Sequence, residues 1–547
     1  MPRRAAGRGA GLTEPAVRPG RLPSERRVVV VGAGIGGLVA ALLLACRGLD
    51  VTVVEAAAVP GGKMRRVEVD GALVDSGPTV FTMRWILAQI FERAGADLAD
   101  HLQLTPLPLL ARHAWKPGER LDLYSDVARS AEAIGDLAGA AESRRFLAFC
   151  AQARSVYRTL EGPYIASERP SLLSMATDLG PRGLAVLAGL GPFASLWRSL
   201  ARHFHDPRLQ QLFGRYATYC GSSPFAAPAT LMLVAQVELD GVWSVAGGMH
   251  AVAQAVAALA EARGARLRYG APVAEILVGD GRACGVRLAS GERLETDAVV
   301  FNGDAGALAA GLLGDKVRQA VPAVPLARRS LSALTWSIHA RTRGFPLARH
   351  NVFFDDDYAS EFQDIFGRHR LPEKGTVYVC AQDRDDGAAV DVDDADGYGA
   401  PERLLCLVNA PPVGERLQAQ EIERCERMSF SLLERAGLTI DRQPHNTVLT
   451  TPAGFQRLFP GTGGALYGPA SHGWMSSFRR PSAASRLPGL FLAGGSVHPG
   501  PGVPMAAMSG QLAAATLMAR LDSTRPYRRV HISGGISTPS ATTAATA

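Results

Sequence analysis

The chain has few of the residues from which metal centres and disulfide frameworks are built. Its 547 residues include only seven cysteines, and the closest two, Cys406 and Cys425, are 19 positions apart. Scattered cysteines are typical of a reducing compartment and give no zinc-ligand spacing. The acidic run 383–396 does not match a calcium loop either, because the EF-hand spacing would place Val392 and Arg403 at ligand positions. We therefore expect no metal site.

A hydrophobic run long enough to cross a membrane is also missing. The longest uncharged apolar candidate, Gly183–Trp197, has 15 residues and contains Pro192, whereas a spanning helix needs about 20 residues. Two interpretations stay open. The segment lines a substrate-binding layer, or it dips into one leaflet of a membrane, with Trp197 at the interface and Arg198 and Arg202 near the headgroups.

Net positive charge is scarce outside the first 27 residues. The net charge is +7, but residues 1–27 carry seven arginines and two glutamates, so the remaining 520 residues carry only +2. A nucleic-acid-binding protein has a basic patch on its folded body, and we expect no nucleic-acid partner. Residues 1–25 are predicted to form a disordered basic arm, and the Ser/Thr/Ala-rich segment 533–547 a disordered tail.

What the sequence does contain is a glycine-rich loop between a strand pattern and a helix pattern. The run Val28–Val31 has the composition of a buried strand, Leu38–Ala45 that of an apolar helix, and G-x-G-x-x-G lies between them. Gly32 permits the tight turn, Gly34 lets the backbone approach a pyrophosphate, and Gly37 allows the helix to pack closely on the strand. The helix start presents N–H groups and its positive dipole end to the phosphates.

An acidic residue follows this loop at the distance that a ribose-binding carboxylate requires. Glu55 ends the next strand pattern, 23 residues after Gly32, close to the offset of about 20 in dinucleotide-binding folds. Strand, loop, helix and acid together predict dinucleotide binding.

An extension after Glu55 favours an FAD site over an NAD site. A second glycine pair, Gly61-Gly62, leads into Lys63 and an alternating hairpin pattern over 66–75, which nicotinamide dehydrogenases do not need. With the helix pattern 251–263 and the strand pattern 271–276, this arrangement resembles the flavin amine oxidase and carotenoid desaturase superfamily. The resemblance implies that FAD is the cofactor, with the glycine pair along the flavin and the backbone of Val273 against the adenine.

The C-terminal region narrows the resemblance. The segment Gly494–Gly510, which follows the strand pattern 490–492, is similar to the signature of bacterial carotenoid desaturases of the phytoene-desaturase type. The resemblance implies a non-covalently bound FAD and a Gly/Pro-rich turn that approaches the flavin ring. The residues expected to bind the cofactor are Gly32, Gly34, Gly36, Gly37, Glu55, Gly61, Gly62, Lys63, Val273, Gly494, Gly495, Val503 and Pro504.

The predicted fold class is α/β. We expect a discontinuous Rossmann-like FAD-binding domain with an inserted α+β substrate domain, as in the flavin amine oxidase and carotenoid desaturase superfamily. The FAD-binding domain is assigned residues 26–100, 247–306 and 485–521, and the substrate domain 101–246 and 307–484.

Softer motifs resemble one subgroup, the 1-hydroxycarotenoid 3,4-desaturases. They occupy residues 75–85, 110–115 and 160–164. The resemblance implies an enzyme that introduces a C3–C4 double bond into acyclic 1-hydroxycarotenoids, with oxygen or a quinone as electron acceptor. Since the long apolar carotenoid substrate is insoluble in water, we expect a cytoplasmic protein peripherally associated with the lipid surface of the inner or photosynthetic membrane.

Three alternatives stay open at this point. A carotenoid desaturase of different regiospecificity, such as a phytoene desaturase, is the first. A flavin amine oxidase is the second, although the segment 494–510 lacks the cysteine often used for covalent flavin attachment. The third is a non-enzymatic lipid-binding escort protein of the same architecture, which would lack the intact phosphate loop.

No catalytic residue is assigned from the sequence. Polyene desaturation by hydride transfer needs little acid–base machinery, since the conjugated chain delocalises positive charge. Arg84, Trp115, Trp243 and His339 are candidates for the substrate region, although a structural role is favoured for each. His498 is expected to hold the C-terminal loop by a hydrogen bond rather than to transfer a proton.

Overall fold

The computed structural model describes residues 26–167, 172–191, 194–384, 397–413 and 416–523. The predicted disordered segments, 1–25 and 533–547, lie outside these ranges, as do Pro192 and most of the acidic run.

Two sheets dominate the described part of the chain, and each is assembled from distant segments. The strands in chain order are β1 (Arg27–Val31), β2 (Asp50–Val54), β3 (Arg66–Val69), β4 (Ala72–Asp75), β5 (Leu104–Pro106), β6 (Leu109–Ala114), β7 (Arg120–Tyr124), β8 (Trp243–Val245), β9 (Arg266–Arg268), β10 (Val273–Gly279), β11 (Arg282–Leu288), β12 (Arg293–Glu295), β13 (Ala298–Phe301), β14 (Ser332–Ala340), β15 (Thr342–Gly344), β16 (His350–Phe353), β17 (Val377–Ala381), β18 (Glu402–Ala410), β19 (Leu438–Ile440), β20 (Thr447–Thr450) and β21 (Leu490–Leu492).

The helices surround these sheets. In chain order they are α1 (Ile35–Cys46), α2 (Arg84–Arg93), α3 (Val127–Ala138), α4 (Ala140–Leu160), α5 (Leu172–Leu190), α6 (Leu196–His203), α7 (Pro207–Gly214), α8 (Leu233–Leu239), α9 (Met249–Ala262), α10 (Ala305–Ala309), α11 (Tyr358–Phe362), α12 (Ala419–Arg435), α13 (Pro452–Leu458) and α14 (Val503–Ser523). Among the described residues, none of these helices combines the length and hydropathy that a bilayer crossing requires.

The first sheet is parallel and has the strand order β21-β13-β1-β2-β9. Its central strand β1 pairs with β2 on one side and β13 on the other, so that Val28 lies opposite both Val51 and Ala298. The inner strands β1 and β13 are runs of buried apolar residues, mostly valine, as expected for a parallel sheet covered on both faces. Helices α1, α9 and α14 pack together on one face. The predicted α/β fold with a Rossmann-like sheet is confirmed.

The second sheet is mostly antiparallel, in the order β20-β14-β18-β17-β16-β6-β7, with one parallel pair between β16 and β6. One of its faces packs on β15, β19 and α12. The other faces a helical layer formed by α3–α8 and α11. The strand predictions over 376–380 and 404–408 correspond to β17 and β18.

Candidate flavin and substrate site

The tight turn between β1 and α1 is possible because the glycines in it have no side chains. Gly32 has φ +100°, a conformation that favours glycine. A Cβ on Gly37 would overlap with the carbonyl oxygen of Gly32. Gly34 occupies the N-cap position of α1 and no side chain caps the helix there. The first N–H groups of α1 therefore have no side-chain cap, and their binding of a pyrophosphate stays a prediction.

The two glycine segments from opposite ends of the chain meet at Gly36. A Cβ on Gly36 would lie 2.8 Å from the backbone nitrogen of Gly494 and 2.8 Å from the carbonyl oxygen of Ala506 on α14. The backbone N–H of Gly494 donates to Oγ of Ser509, also on α14, at 2.7 Å. The loops 32–37 and 494–495 thus form one continuous cradle, whose members' role in binding remains a prediction.

Asn302 lines this cradle, although sequence reasoning did not assign it a role. It follows β13, and its Nδ2 donates to the carbonyl oxygen of Gly32 at 3.2 Å. Its Oδ1 is buried and has no hydrogen-bond partner. The available signal was topological, since carboxyl ends of neighbouring parallel strands meet at the same sheet edge. An unpaired buried acceptor at this place suits a ligand that donates a hydrogen bond.

Glu55 lies at the neighbouring strand end, beside the loop. One carboxylate oxygen accepts from the backbone N–H of Ala33 at 2.6 Å and the other from that of Ala57 at 2.8 Å. The backbone N–H of Ala271 donates to the Glu55 carbonyl at 2.8 Å, which brings the start of β10 at Val273 close to the same corner. This arrangement groups the residues predicted to contact the ribose and the adenine.

The second glycine pair also packs on the phosphate loop. The backbone N–H of Gly61 donates to the carbonyl of Ala33 at 2.9 Å, and a Cβ on Gly62 would lie 3.3 Å from Cα of Gly34. After the β3–β4 hairpin the chain returns at Gly77, where a Cβ would overlap with the Lys63 carbonyl. The loop that follows the hairpin is therefore held against the predicted flavin site.

Lys63 extends from this pair towards the substrate side. Its Nζ donates to the carbonyl of Leu466 at 2.6 Å, and the ring of Phe459 lies 5.5 Å away. Burial lowers the pKa of the partly exposed Lys63, although the nearby carboxylate of Asp304 opposes this effect. Asp304 pairs with Arg329 at 3.0 Å, and its second oxygen is buried without a partner.

The C-terminal loop is held by two buried side chains. The guanidinium of Arg480 donates to the carbonyl oxygens of Gly495 and Tyr467, each at 3.1 Å. Nε2 of His498 lies 2.8 Å from the carbonyl of Ser167, and burial lowers the pKa of His498 to about 4. The predicted hydrogen-bonding role of His498 agrees with this geometry. The loop leads into α14, which begins at Val503 and Pro504.

These residues fit FAD on structural grounds. The cradle is lined by backbone and glycine, a helix start without a side-chain cap faces it, and Asn302 offers an unpaired acceptor. Among the described residues, no cluster of three metal-ligand side chains occurs. The glycine loop would hold the pyrophosphate, Glu55 the ribose, and the 494–504 segment the flavin end.

The substrate-region candidates occupy structural positions. Nε1 of Trp115 donates to Gln211 at 2.8 Å, and Trp243 packs edge-on against Phe81. His339 is half-buried on β14, and Arg84 begins α2.

Different residues of the apolar segment 183–197 agree with different interpretations, interior lining or a surface that contacts a membrane. Leu190 is buried in the helical layer, and Trp197 packs against Phe225 and Tyr358 with ring centroids 4.7 and 5.8 Å apart. Trp197 is therefore partly buried against aromatic rings, and its position at a membrane interface stays a prediction. Leu184, in contrast, is 47% exposed, so one face of the segment lines the interior and the other is open to solvent.

Comparison with known proteins agrees with this geometry. The model of the family "flavin containing amine oxidoreductase" matches residues 35–518. A hydroxyneurosporene desaturase of Rubrivivax gelatinosus is 68% identical over 520 residues, covering 94% of this chain and 98% of that protein. A hydroxyneurosporene desaturase of Cereibacter sphaeroides is 47% identical over 499 residues, covering 91% and 98%.

Among solved structures, a putrescine oxidase variant superposes with a TM-score of 0.54 at 17% identity, covering 90% of this chain and 99% of the other. At this identity the likeness shows the fold alone. The cofactor of the present chain is FAD. The chain belongs to the flavin-containing amine oxidoreductase family and, within it, to the bacterial carotenoid desaturases.

Proposed function

We propose that this protein is an FAD-dependent desaturase that introduces the C3–C4 double bond into acyclic 1-hydroxycarotenoids. The observation that carries the proposal is the 68% identity to a hydroxyneurosporene desaturase over nearly the full length of both chains. The assembled glycine cradle supports it, since an escort protein without flavin has no need of one. An amine oxidase or a phytoene desaturase is less well supported, because the two hydroxyneurosporene desaturases are 68% and 47% identical to the chain, whereas a zeta-carotene-forming phytoene desaturase is 32% identical and a putrescine oxidase variant 17% identical.

The chemistry is divided between cofactor and protein. FAD, when bound, accepts a hydride from one of two adjacent substrate carbons, while the other carbon releases a proton. The polyene spreads the developing positive charge, so the protein's task is to orient the substrate and exclude water. His498 suits this division, since its lowered pKa of about 4 keeps the imidazole neutral at neutral pH.

The position of the helical layer is suitable for holding a polyene. Tyr164, in the turn Glu161–Ile165 that follows α4, packs edge-on against His498 in the flavin loop, with ring centroids 5.3 Å apart. In the same helical layer, the rings of Phe149 on α4, Phe204 after α6 and Phe213 on α7 pack against one another. An apolar layer that begins at the flavin loop would accept the polyene and keep water from the reacting carbons.

The proposal is tested by incubating the flavin-loaded protein with a panel of carotenoids in lipid vesicles. We expect conversion of 1-hydroxyneurosporene to a product with one more conjugated double bond, and little turnover of phytoene. The products are separated by chromatography and identified by their visible spectra. Turnover of phytoene without turnover of hydroxylated carotenoids would assign the protein to a different regiospecificity.

We further propose that the protein docks peripherally on a membrane surface through the outer face of α5. Leu184 is exposed there, and Arg198 and Arg202 are exposed on the neighbouring α6. The loop 224–228 accepts hydrogen bonds from Leu196 and from Gly473, which precedes the exposed Trp474. Apolar side chains flanked by arginines are typical of surfaces that bind anionic lipid.

Flotation with vesicles of phosphatidylglycerol and phosphatidylethanolamine tests this surface. Leu184→Asp should reduce flotation, whereas Leu312→Asp, a change at an equally exposed leucine after α10 (49% against 47%), should not. Replacing Arg198 and Arg202 with glutamine should weaken flotation at low salt only. Equal flotation of the parent and the Leu184 variant would place the docking surface elsewhere.

We propose that the electron acceptor is oxygen or a quinone. Stopped-flow measurements compare the rate at which the reduced protein is reoxidised by oxygen with the rate at which a soluble quinone reoxidises it without oxygen. The faster reaction identifies the acceptor.

A further inference from the structure

A row of polar side chains crosses the sheet face that packs on the helical layer. His113 on β6 and Tyr378 on β17 both lie opposite Val352 on β16. His350 precedes Val352 by two positions and so points to the same face. The second sheet thus presents two histidines and a tyrosine, all at least half buried, to the apolar layer in which the polyene is proposed to lie.

The helical layer faces this row with an arginine and another tyrosine. Arg215 begins the 3-10 turn Arg215–Cys220, and its Nη2 donates to the hydroxyl of Tyr219 at 2.9 Å. That hydroxyl donates to Glu238 at 2.7 Å. The Tyr219 hydroxyl therefore bridges the guanidinium of Arg215 and the carboxylate of Glu238. Burial disfavours the charge of Arg215, but Tyr219 and Glu238 outweigh this effect and raise its pKa. Tyr358, on α11, is a further polar residue of the helical layer in this region.

Four polar groups in this region have an atom without a hydrogen-bond partner. The unpaired atoms are Nε2 of His113, Nε of Arg215, Nε2 of His350 and the hydroxyl of Tyr358. Each of these residues is more than nine-tenths buried. Buried polar groups are nearly always paired, because an unpaired one loses its hydration without compensation. Several unpaired groups in one layer indicate a polar ligand that supplies the missing partners.

The chemistry of these groups favours a neutral ligand. Burial, together with the positive charge of Arg215, lowers the pKa of His113 and of His350 to about 3, so both imidazoles are neutral. The charge of Arg215 is balanced by Glu238 through Tyr219. A neutral imidazole nitrogen and a tyrosine hydroxyl can pair with an alcohol, which both donates and accepts hydrogen bonds.

The same set is connected to the flavin side of the molecule. The hydroxyl of Tyr378 lies 2.7 Å from Nδ1 of His350 and 2.7 Å from Oγ1 of Thr79. Thr79 is two residues beyond Gly77, which packs against the backbone of Lys63 next to the phosphate loop. The oxygen on C1 is three bonds from C3 and four bonds from C4, so with bonds of about 1.5 Å it lies about 3–5 Å from these carbons. Recognition of that hydroxyl has to occur close to the flavin.

We propose that the group His113, Arg215, His350 and Tyr358, here named the hydroxyl pocket, binds the C1 hydroxyl of the substrate, with up to three members paired to it at once, and so places C3 and C4 at the flavin. The inference rests on the proposed function, because it specifies which part of that substrate the protein recognises. His350 is connected to the flavin side through Tyr378 and Thr79. Tyr358 contributes a hydroxyl that has no hydrogen-bond partner among the residues that the structure describes.

The sharpest test is Tyr358→Phe, which removes only an unpaired hydroxyl. If Tyr358 is merely structural, this variant should be at least as stable as the parent and equally active, because no internal hydrogen bond is lost. If it binds the substrate hydroxyl, kcat/KM for 1-hydroxyneurosporene should fall about tenfold, as expected for one buried hydrogen bond. His350→Leu should act in the same direction, and His350→Gln should restore part of the loss.

The measurement includes a ligand without the hydroxyl. Neurosporene, as a competitive inhibitor, should bind the parent and both variants with the same inhibition constant. Tyr124→Phe on β7 serves as a matched control outside the hydroxyl pocket and should change neither value. Flavin absorbance and thermal unfolding verify that each variant is folded and loaded.

The possible failures are distinguishable. If the parent does not convert 1-hydroxyneurosporene, the proposed function is wrong. If the parent converts it and both pocket variants retain the parental kcat/KM, or weaken neurosporene binding to the same extent, the hydroxyl pocket is overturned while the proposed function stands.

Discussion

The contact between the two glycine segments gives a direct test of the flavin cradle. In Gly36→Ala, the new methyl group would lie 2.8 Å from the Gly494 nitrogen, 2.8 Å from the Ala506 carbonyl oxygen and 2.8 Å from Oδ1 of Asn302. Two of the three neighbours are backbone atoms, so relief requires the loop and α14 to move away from α1. The substitution should therefore open the cradle.

The size of the effect follows from two opposing contributions. Forcing a methyl group into a well-packed site costs about 1–3 kcal/mol, and three contacts this short place the cost near the upper limit. Alanine recovers up to about 1 kcal/mol relative to glycine in a helix. The net cost is about 2 kcal/mol, which corresponds to about a 30-fold weaker affinity for FAD if it falls on the assembled cradle.

Equilibrium dialysis of FAD and thermal unfolding with and without added FAD measure this change. Gly135→Ala in α3 is the matched control, because its new methyl group would have an ordinary contact of 3.7 Å with Ser143 and should be neutral or slightly stabilising. A Gly36→Ala protein with parental FAD affinity and parental melting temperature would show that the two segments are not held together as described.

Three further predictions concern the same framework. Glu55→Ala should weaken FAD binding by about 1.5–3 kcal/mol, the loss of a hydrogen bond to a charged acceptor, with Glu55→Gln intermediate by dialysis. Asn302→Asp should reduce FAD affinity more than Asn302→Ala, since it adds negative charge beside the pyrophosphate site; the reverse order would place the phosphates elsewhere. Burial lowers the pKa of five of the described histidines, to about 3 for His113 and His350, to about 4 for His472 and His498, and also for His203. Because the unfolded chain binds protons below about pH 6.5 while the folded protein does not, stability should fall as the pH drops from about 6.5 towards 4, by up to about 1.4 kcal/mol per pH unit and histidine. His472→Gln should flatten the dependence of the melting temperature on pH relative to the parent.

The parts of the fold that follow local rules could be predicted from the sequence. Runs of buried valine marked β1, β2 and β13, because strands of a covered parallel sheet are apolar on both faces. The glycine spacing marked the turn into α1. In each case the signal lies within a few residues, and the structure places the elements within a few positions of the prediction.

Other features depend on contacts between distant segments. Asn302 gains its place in the cradle only because β13 lies beside β1. The hydroxyl pocket combines His113, Arg215 and His350 from three regions, without any common spacing. Leu184 and Leu190 face different sides of α5, because six residues turn an α-helix by about 600°, which leaves the two side chains about 120° apart. The interpretation of 183–197 as one patch did not take this helical periodicity into account.

The separation of cofactor and substrate recognition explains how one fold supports different reactions. The putrescine oxidase fold is shared at 17% identity, so the glycine cradle alone does not select a carotenoid. Changes in the cradle, such as Gly36→Ala, should lower the turnover of every substrate in proportion to the flavin that is lost. Changes in the hydroxyl pocket, such as Tyr358→Phe, should leave the flavin content unchanged and affect hydroxylated substrates alone. If both variants changed flavin content and substrate preference together, recognition of the end group would not be separable from the cofactor site, and the assignment of the pocket to the helical layer would fail.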